Sequence, residues 1–217
     1  MKKKISILFL LFSISVASIP TLWGQTTTRN HSLTIHAGYA NMLGGTAGLT
    51  NNSNSYEKEL CSGFSWDVQY DYRPNPKIGL GILYSGYTAN GELTYSSDHI
   101  YTHYFAPQLT PKILRTEHFE IFVNAGLGYL FYLNNSTVYG KERRVTGGNI
   151  AANIGGMVEY KINNKWGVSL GTQYITSNLR KINVFYHGEN TKVKFNNKEN
   201  KLNLSRLNLS VGVNFHF

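Results

Sequence analysis

Apolar and polar residues alternate one by one along eight stretches of this chain, and a period of two is the pattern of β-strands. The last stretch is the most regular, since every second residue from Leu207 to Phe217 is apolar. The pattern therefore predicts eight strands and no helix of useful length after the N-terminal region. Each strand has one apolar and one polar face, except that the facing of the fourth, HIYTHYFAPQL, is ambiguous. The predicted strands are HSLTIHAGY, GFSWDVQYDY, KIGLGILYSGY, HIYTHYFAPQL, HFEIFVNAGLGYLF, IAANIGGMVEY, WGVSLGTQYI and LNLSVGVNFHF.

The segments that connect these strands are alternately short and long. Short turns at one rim and long loops at the other are typical of a transmembrane β-barrel, and an even number of strands places both termini at the short-turn rim. We therefore predict an all-β fold, a closed antiparallel transmembrane β-barrel of eight strands. The short connections are RPNP, TPKILRTE and INNK, and the long ones lie at roughly 41–60, 88–98, 133–148 and 179–201.

The last long connection contains a further hairpin signal. INVFYH and TKVKF flank HGEN, which has the composition of a hairpin tip. This pair predicts either an extension of strands seven and eight beyond the membrane or two additional strands, which would give ten. The extension is favoured because Lys192 and Lys194 would be poorly placed in lipid.

The composition of the polar face favours a membrane barrel over a soluble one. A soluble ligand carrier turns its apolar face inward, and its polar face meets water and is rich in Lys and Glu. Here the polar face is mostly Gly, Ser, Asn, Gln and Thr, which suits a narrow lumen filled by side chains. Aromatic residues end the apolar face near the turns, as in an interfacial girdle, although aromatic β-propensity is an alternative explanation. They are Tyr70, Tyr72, Phe119, Tyr160, Trp166 and Phe215.

The N-terminus has the pattern of a secretory signal peptide, with three lysines followed by a short apolar run. We expect residues 1–24 to be a cleaved signal and residues 25–217 to form one barrel domain in the outer membrane. The formal charge of +9 falls to +6 without those lysines, and only 15% of residues are charged, against about 25% in soluble domains. Cys61 is the single cysteine, so the chain has no intramolecular disulfide.

Two stretches carry a resemblance to a known family. YFAPQL, from Tyr104 to Leu109, and NAGLGYLF, from Asn124 to Phe131, are similar to strands of the small OmpA-like and OmpX-like outer-membrane β-barrels of Gram-negative bacteria. The resemblance covers the whole mature chain and implies that fold and location. It also implies that Phe215 and Phe217, in the last strand, form the signal read by the barrel-assembly machinery. We expect no peptidoglycan-binding domain after the barrel, so a wall-tethering role is not implied.

Charged residues on the predicted polar faces form the first candidate site. Buried charges require partners, so we expect Arg206 to form a lumen network with one or more of the acids. Such a network is either a structural plug or the gate of a narrow pore, and the plug is favoured. Its members are Asp67, Asp71, Glu120, Glu159 and Arg206.

Cations in the long connections form the second candidate site. Basic residues are usually no more than a solvated surface, but here they would lie beside lipopolysaccharide phosphates, with which they would pair. We therefore expect the partners to be outer-membrane lipid, lipopolysaccharide and an unidentified surface partner, and not nucleic acid. The candidates are Lys141, Arg143, Arg144, Lys192, Lys194, Lys198 and Lys201, with Arg180 and Lys181 nearby.

The sequence offers little support for metal or catalytic chemistry. His99 and His103 are four residues apart, which on a strand separates them by roughly 13 Å, too far to share a metal. Nucleophile-elbow, HExxH and P-loop motifs are absent from the sequence. We expect no metal, no cofactor and no catalysis. The expected role is structural or adhesive; the alternatives are a narrow porin-like channel and a lipid-modifying enzyme.

Overall fold

The computed structural model describes residues 30–44, 54–93, 95–195 and 202–217. The expected signal peptide lies outside these residues. In order along the chain the elements are β1 (His31–Met42), α1 (Asn54–Cys61), β2 (Ser62–Tyr72), β3 (Ile78–Leu93), β4 (Ser96–Arg115), β5 (Phe119–Val138), β6 (Lys141–Lys161), β7 (Trp166–Leu179), β8 (Lys181–Tyr186), β9 (Glu189–Lys194), β10 (Leu202–Asn203) and β11 (Arg206–His216).

Eight strands pair antiparallel in a closed ring, in the order β1, β2, β3, β4, β5, β6, β7 and β11. The seam between β1 and β11 is paired along its whole length, from Ser32 opposite His216 to Met42 opposite Arg206. The terminal residue belongs to this seam, because Phe217 N donates to His31 O (3.0 Å) and His31 N donates to Phe217 O (3.1 Å). A closed ring leaves no sheet edge in hydrocarbon, which confirms the predicted eight-stranded barrel.

The apolar face of each strand points outward, as the composition of the polar faces indicated. On β11, Leu209 and Val211 are 56% and 61% exposed, whereas Asn208 and Asn214 are fully buried. On β5 the outward residues are apolar from Phe119 to Leu133 and polar from Asn135 onward. At about 3.3 Å per residue and a tilt of about 40°, this apolar band is about 35 Å tall, which is enough to span a bilayer core of about 30 Å.

The connections expected at 88–98 and 133–148 are not loops, because the strands continue through them. Leu93 pairs with Ser96 and Val138 with Lys141, so each hairpin closes in a two-residue turn. In the second turn Tyr139 and Gly140 both have positive φ (49° and 75°), which matches the twist of the strands. The prediction failed because polar residues occupy many positions on both faces of these segments, so the alternation is interrupted.

The barrel is consequently much taller on one side. Strands β4, β5 and β6 have 20, 20 and 21 residues, whereas β1, β2 and β11 have 12, 11 and 11, about the number that crosses a membrane. β8 pairs with β6, and β9 pairs only with β8, around the predicted tip at His187 and Gly188. This hairpin extends the ring, as favoured from the sequence. We call residues 89–93, 96–101, 133–138, 141–147, 181–186 and 189–194 the tall wall.

An apolar cluster fills the lumen from the middle of β3 and β4, at Leu83 and Ala106, up to the tall wall, and we call it the upper plug. Helix α1 was not foreseen; it lies in the first long connection and directs Tyr56 and Leu60, which are four residues apart, into this cluster. Among the described helices, none is long and apolar enough to cross a membrane. The other buried members are Ala40, Met42, Leu83, Tyr87, Ala89, Ile100, Tyr104, Ala106, Leu130, Tyr132, Val145, Ala151, Ile175, Leu179, Ile182, Leu202 and Leu204.

Candidate functional site

The lumen below the upper plug is polar, and all five predicted lumen charges are buried in it. Asp67, Asp71, Glu120, Glu159 and Arg206 are 5%, 0%, 2%, 1% and 0% exposed. They point into the lumen because they lie on the polar faces of their strands, and those faces line the lumen. They lie at different heights, and each has its own local set of partners.

Arg206 lies at the middle of the lumen and crosses it. Its guanidinium donates to Thr102 Oγ1 on β4 and to both Ser85 O (3.2 Å) and Ser85 Oγ (2.8 Å) on β3. The guanidinium also lies 5.5 Å from the centre of the Tyr87 ring. Asp67 lies close enough to interact electrostatically with Arg206, but the two form no ion pair within 4 Å. Arg206 therefore ties β11 across the bore to β3 and β4 and obstructs it.

Glu120 lies at the short-turn rim, far from Arg206 along the barrel. Its Oε1 receives Lys112 Nζ at 2.7 Å, Lys161 Nζ at 2.6 Å and Arg115 Nε at 3.4 Å. Three cations thus share one carboxylate oxygen. Lys112 and Lys161 were missed from the sequence, although their position on the same strand faces as Gln108, Thr110 and Glu159 was a usable signal.

The remaining lumen acids have partners near the same rim. Glu159 Oε1 lies 2.5 Å from His216 Nε2. Asp71 accepts hydrogen bonds from Gln69 Nε2 (2.7 Å) and Thr110 Oγ1 (2.9 Å). The lumen charges therefore form separate clusters, which are spaced from the middle of the barrel to the short-turn rim.

The upper plug is attached to the tall wall through Asp98, a buried acid that the sequence did not single out. Asp98 accepts hydrogen bonds from Tyr56 of α1, from Asn134 Nδ2 (2.7 Å) and from Arg143 Nη2 (3.3 Å). Burial and the adjacent carboxylate raise the pKa of Tyr56, so its hydroxyl remains a donor. Arg143, one of the predicted surface cations, is thus directed inward and holds the plug.

The other predicted surface cations have different positions on the tall wall. Val145 and Ile182 point into the plug, so the alternate residues on these strands point outward. Lys141 is exposed near the tip of the β5–β6 hairpin, whereas Lys198 and Lys201 lie outside the described residues. The cations that share the outward face are Arg144, Lys181, Lys192 and Lys194, and we call them the basic face.

Lysines lie side by side on the basic face. Lys181 is directly opposite Lys194 in the β8–β9 pairing, and Lys192 is opposite Asn183. Side chains directly opposite in a sheet are about 5 Å apart at Cβ, and like charges there are destabilising. Arg144 Nε donates to Asn135 Oδ1 (3.1 Å), so its partner is neutral. The arrangement leaves the positive charge of this face available to an anion.

Phe215 and Phe217 belong to the outward aromatic band at the short-turn rim. The Phe215 ring lies 4.7 Å from Trp166 and 5.6 Å from Phe217, measured between centroids, and Phe217 stacks on His31 at 5.6 Å. On the neighbouring strands β5 and β6, Phe119 and Tyr160 are 5.2 Å apart. The predicted girdle residues thus form contacts at one level of the barrel.

The histidines of the strands have hydrogen-bond partners within the protein. His99 and His103 make separate bonds, with Asn90 Oδ1 and the Tyr84 hydroxyl, both at 2.8 Å. In the lumen, His36 Nε2 lies 2.8 Å from Ser169 Oγ, whose hydroxyl donates to Asn214 Oδ1 (3.0 Å). Among the described residues, no group of three or more His, Cys, Asp or Glu side chains could hold a metal ion.

Comparisons with known proteins agree with this architecture. The sequence model of the family described as outer membrane protein beta-barrel domain matches residues 8–217. A search among curated proteins gave no match. The chain is similar to the crystal structure of Neisserial surface protein A, with a TM-score of 0.53 and 16% identity over 87% of this chain and 97% of that one.

Two further solved structures have the same architecture. Ail, the attachment invasion locus protein of Yersinia pestis, matches with a TM-score of 0.51 and 13% identity over 86% of this chain and 99% of its own, and it has also been solved with the heparin analogue sucrose octasulfate. The outer membrane protease OmpT from Escherichia coli matches with a TM-score of 0.51 and 10% identity over 91% of this chain and 100% of its own. At such identities the likeness shows the fold alone.

Proposed function

Because this chain belongs to the outer membrane protein β-barrel domain family, we propose that it is a non-catalytic surface-contact protein whose tall wall binds anionic saccharides outside the membrane. The coarser statement is established: it is an outer-membrane β-barrel protein, and its fold is similar to the folds of NspA and Ail. The short-turn rim and both termini then face the periplasm, and the tall wall faces outward from the cell.

The observation that supports this proposal is the basic face. Lys181 and Lys194 are directly opposite each other, and Arg144 and Lys192 lie on the same side of the sheet. Natural sheets avoid like charges at opposite positions unless something compensates for their repulsion. Phosphate and sulfate groups do so through charge-assisted hydrogen bonds.

The position of the basic face just above the apolar band makes lipopolysaccharide the first ligand to expect. The outward apolar band on β5 ends at Leu133, and Arg144 is paired with Asn135 immediately above it. The basic face therefore borders the headgroup layer around the barrel. The Ail complex with sucrose octasulfate shows that a barrel of this fold can bind a polysulfated sugar, which makes that molecule a suitable probe for this chain.

The filled lumen supports a scaffold rather than a channel. Arg206 crosses the bore at its middle, and the upper plug closes it above. We expect the refolded mature barrel to show no discrete conductance steps in planar bilayers, with heat-modifiable gel mobility as the control for folding. Discrete steps from a correctly folded barrel would instead favour a pore.

The experiment compares two charge-matched double variants. Lys192→Gln with Lys194→Gln removes two cations from the basic face, and Lys77→Gln with Lys165→Gln removes two exposed cations from the opposite rim. Binding is measured to sucrose octasulfate in nonionic detergent and to lipopolysaccharide in proteoliposomes. We expect the first variant to bind about tenfold more weakly and the second to match wild type. Equal binding by both variants would exclude the basic face as the site.

A further inference from the structure

The short-turn rim encloses a second cationic site, of about 450 Å³, which we call the rim cup. Its walls come from the β2–β3 turn, the end of β4, the start of β5 and the β6–β7 turn. Four cations line it, and Glu120 is the only carboxylate among its described lining residues. The cations are Arg73, Lys112, Arg115 and Lys161.

The rim cup contains more positive than negative groups. Glu120 Oε1 is shared by Lys112, Lys161 and Arg115, so one carboxylate serves three positive groups. Lys112 is only 10% exposed, so water screens the repulsion between its ammonium group and that of Lys161 only weakly. Repulsion among these groups would fall if a second anion entered the cup.

Arg73 supplies an unused donor at the same place. It is 9% exposed, and its Nε has no hydrogen-bond partner among the described residues. Its guanidinium carbon lies 4.3 Å from the centre of the Phe122 ring, with Lys112 Nζ 5.3 Å from the same ring. Asp71 lies near enough to interact with Arg73, but its two oxygens accept bonds from Gln69 and Thr110. The ring thus holds two cations in position without neutralising either.

We infer that the rim cup binds a phosphate group. Several convergent guanidinium and ammonium donors fit a tetrahedral oxyanion, which accepts more charge-assisted hydrogen bonds than a carboxylate can. The volume is within the range of small-molecule sites and accommodates a phosphate with bridging water or a lipid headgroup. Free phosphate of the periplasm and phospholipid headgroups of the inner leaflet both present this chemistry to the short-turn rim. This inference does not depend on the basic face.

The test uses the whole mature barrel refolded in nonionic detergent, at constant ionic strength. One arm titrates inorganic phosphate and the other dihexanoylphosphatidylglycerol, with binding followed by heteronuclear NMR of the arginine side chains. Arg73→Gln and Lys161→Gln should each weaken binding at least about tenfold. Lys77→Gln removes an exposed cation beside the cup but not lining it, and should stay within about twofold of wild type.

Arg115→Gln keeps the test decisive if a buried variant fails to fold. Arg115 is 62% exposed, so its loss leaves the barrel intact, as heat-modifiable mobility would verify, while removing a donor of the cup. Saturable binding of inorganic phosphate identifies the free anion as the source, and saturable binding of the lipid alone identifies the headgroup. No saturable binding of either probe, or an equal loss in Lys77→Gln, would overturn the inference.

Discussion

Replacing Arg206 with methionine should lower the free energy of unfolding by about 3–5 kcal/mol, the range for breaking a buried charged contact. The side chain is fully buried and donates hydrogen bonds to three acceptors on two other strands. Bonds from a charged donor contribute about 1.5–3 kcal/mol each, so their sum is about 4.5–9 kcal/mol. Methionine fills much of the vacated volume and recovers part of this by apolar burial.

Denaturant unfolding in detergent micelles, followed by tryptophan fluorescence, measures this change. Arg144→Met is the matched control, since Arg144 is exposed and should alter stability by about 0.5 kcal/mol or less. Asp67→Asn completes a double-mutant cycle, because Asp67 is the acid that interacts electrostatically with Arg206. We expect a coupling of about 1–3 kcal/mol between the two sites. A loss below about 1 kcal/mol in Arg206→Met, or a coupling of zero, would refute this account of the lumen.

Three further predictions concern the plug, a turn and the last residue. Leu60→Ala should destabilise the packing of α1 by about 2–5 kcal/mol and so speed thiol labelling of Cys61. Leu43→Ala is the control, because Leu43 is exposed. An unchanged labelling rate in Leu60→Ala would contradict this account of the packing. Gly140→Ala should destabilise the barrel by about 1–2 kcal/mol in denaturant unfolding. The cause is the φ of 75°, which is unfavourable for alanine, since no atom lies within 4 Å of the added Cβ. A variant more stable than wild type would contradict this. Phe217→Ala should keep the unfolding free energy within about 1 kcal/mol of wild type. It should nevertheless slow insertion by purified assembly machinery into liposomes, and equal insertion rates would exclude the proposed assembly signal.

The facing of seven of the eight predicted strands could be determined from the sequence, because a barrel in lipid imposes a period of two. The facing of the fourth strand was ambiguous, because apolar side chains such as Ile100 and Tyr104 lie on its lumen face. The period of two is why the burial of Asp67, Glu159 and Arg206 was predictable. Their partners were not, because height along a tilted barrel depends on register, and register is set by pairings between distant segments. Arg206 thus lies beside Ser85 and Thr102, which precede it by more than a hundred residues.

Neither the tall wall nor α1 could be predicted from the alternation of apolar and polar residues. Above the membrane both faces of a strand can be polar, so residues 133–138 and 141–147 resemble a loop although they continue β5 and β6. The two-residue Tyr139–Gly140 turn was an available signal, since Gly is favoured there. Helix α1 is too short for a period to be recognised and is stabilised by packing of Tyr56 and Leu60, not by its own sequence.

The seam between β1 and β11 imposes an order in time on the biogenesis of this protein. These are the first and the last ring strands along the chain, so β1 lacks one of its two partners until β11 has been made. A ring without β11 would leave β1 and β7 with unpaired edges, and such edges pair readily with other chains. A chain that stops before β11 therefore cannot close the barrel, and its open edges make it prone to aggregation.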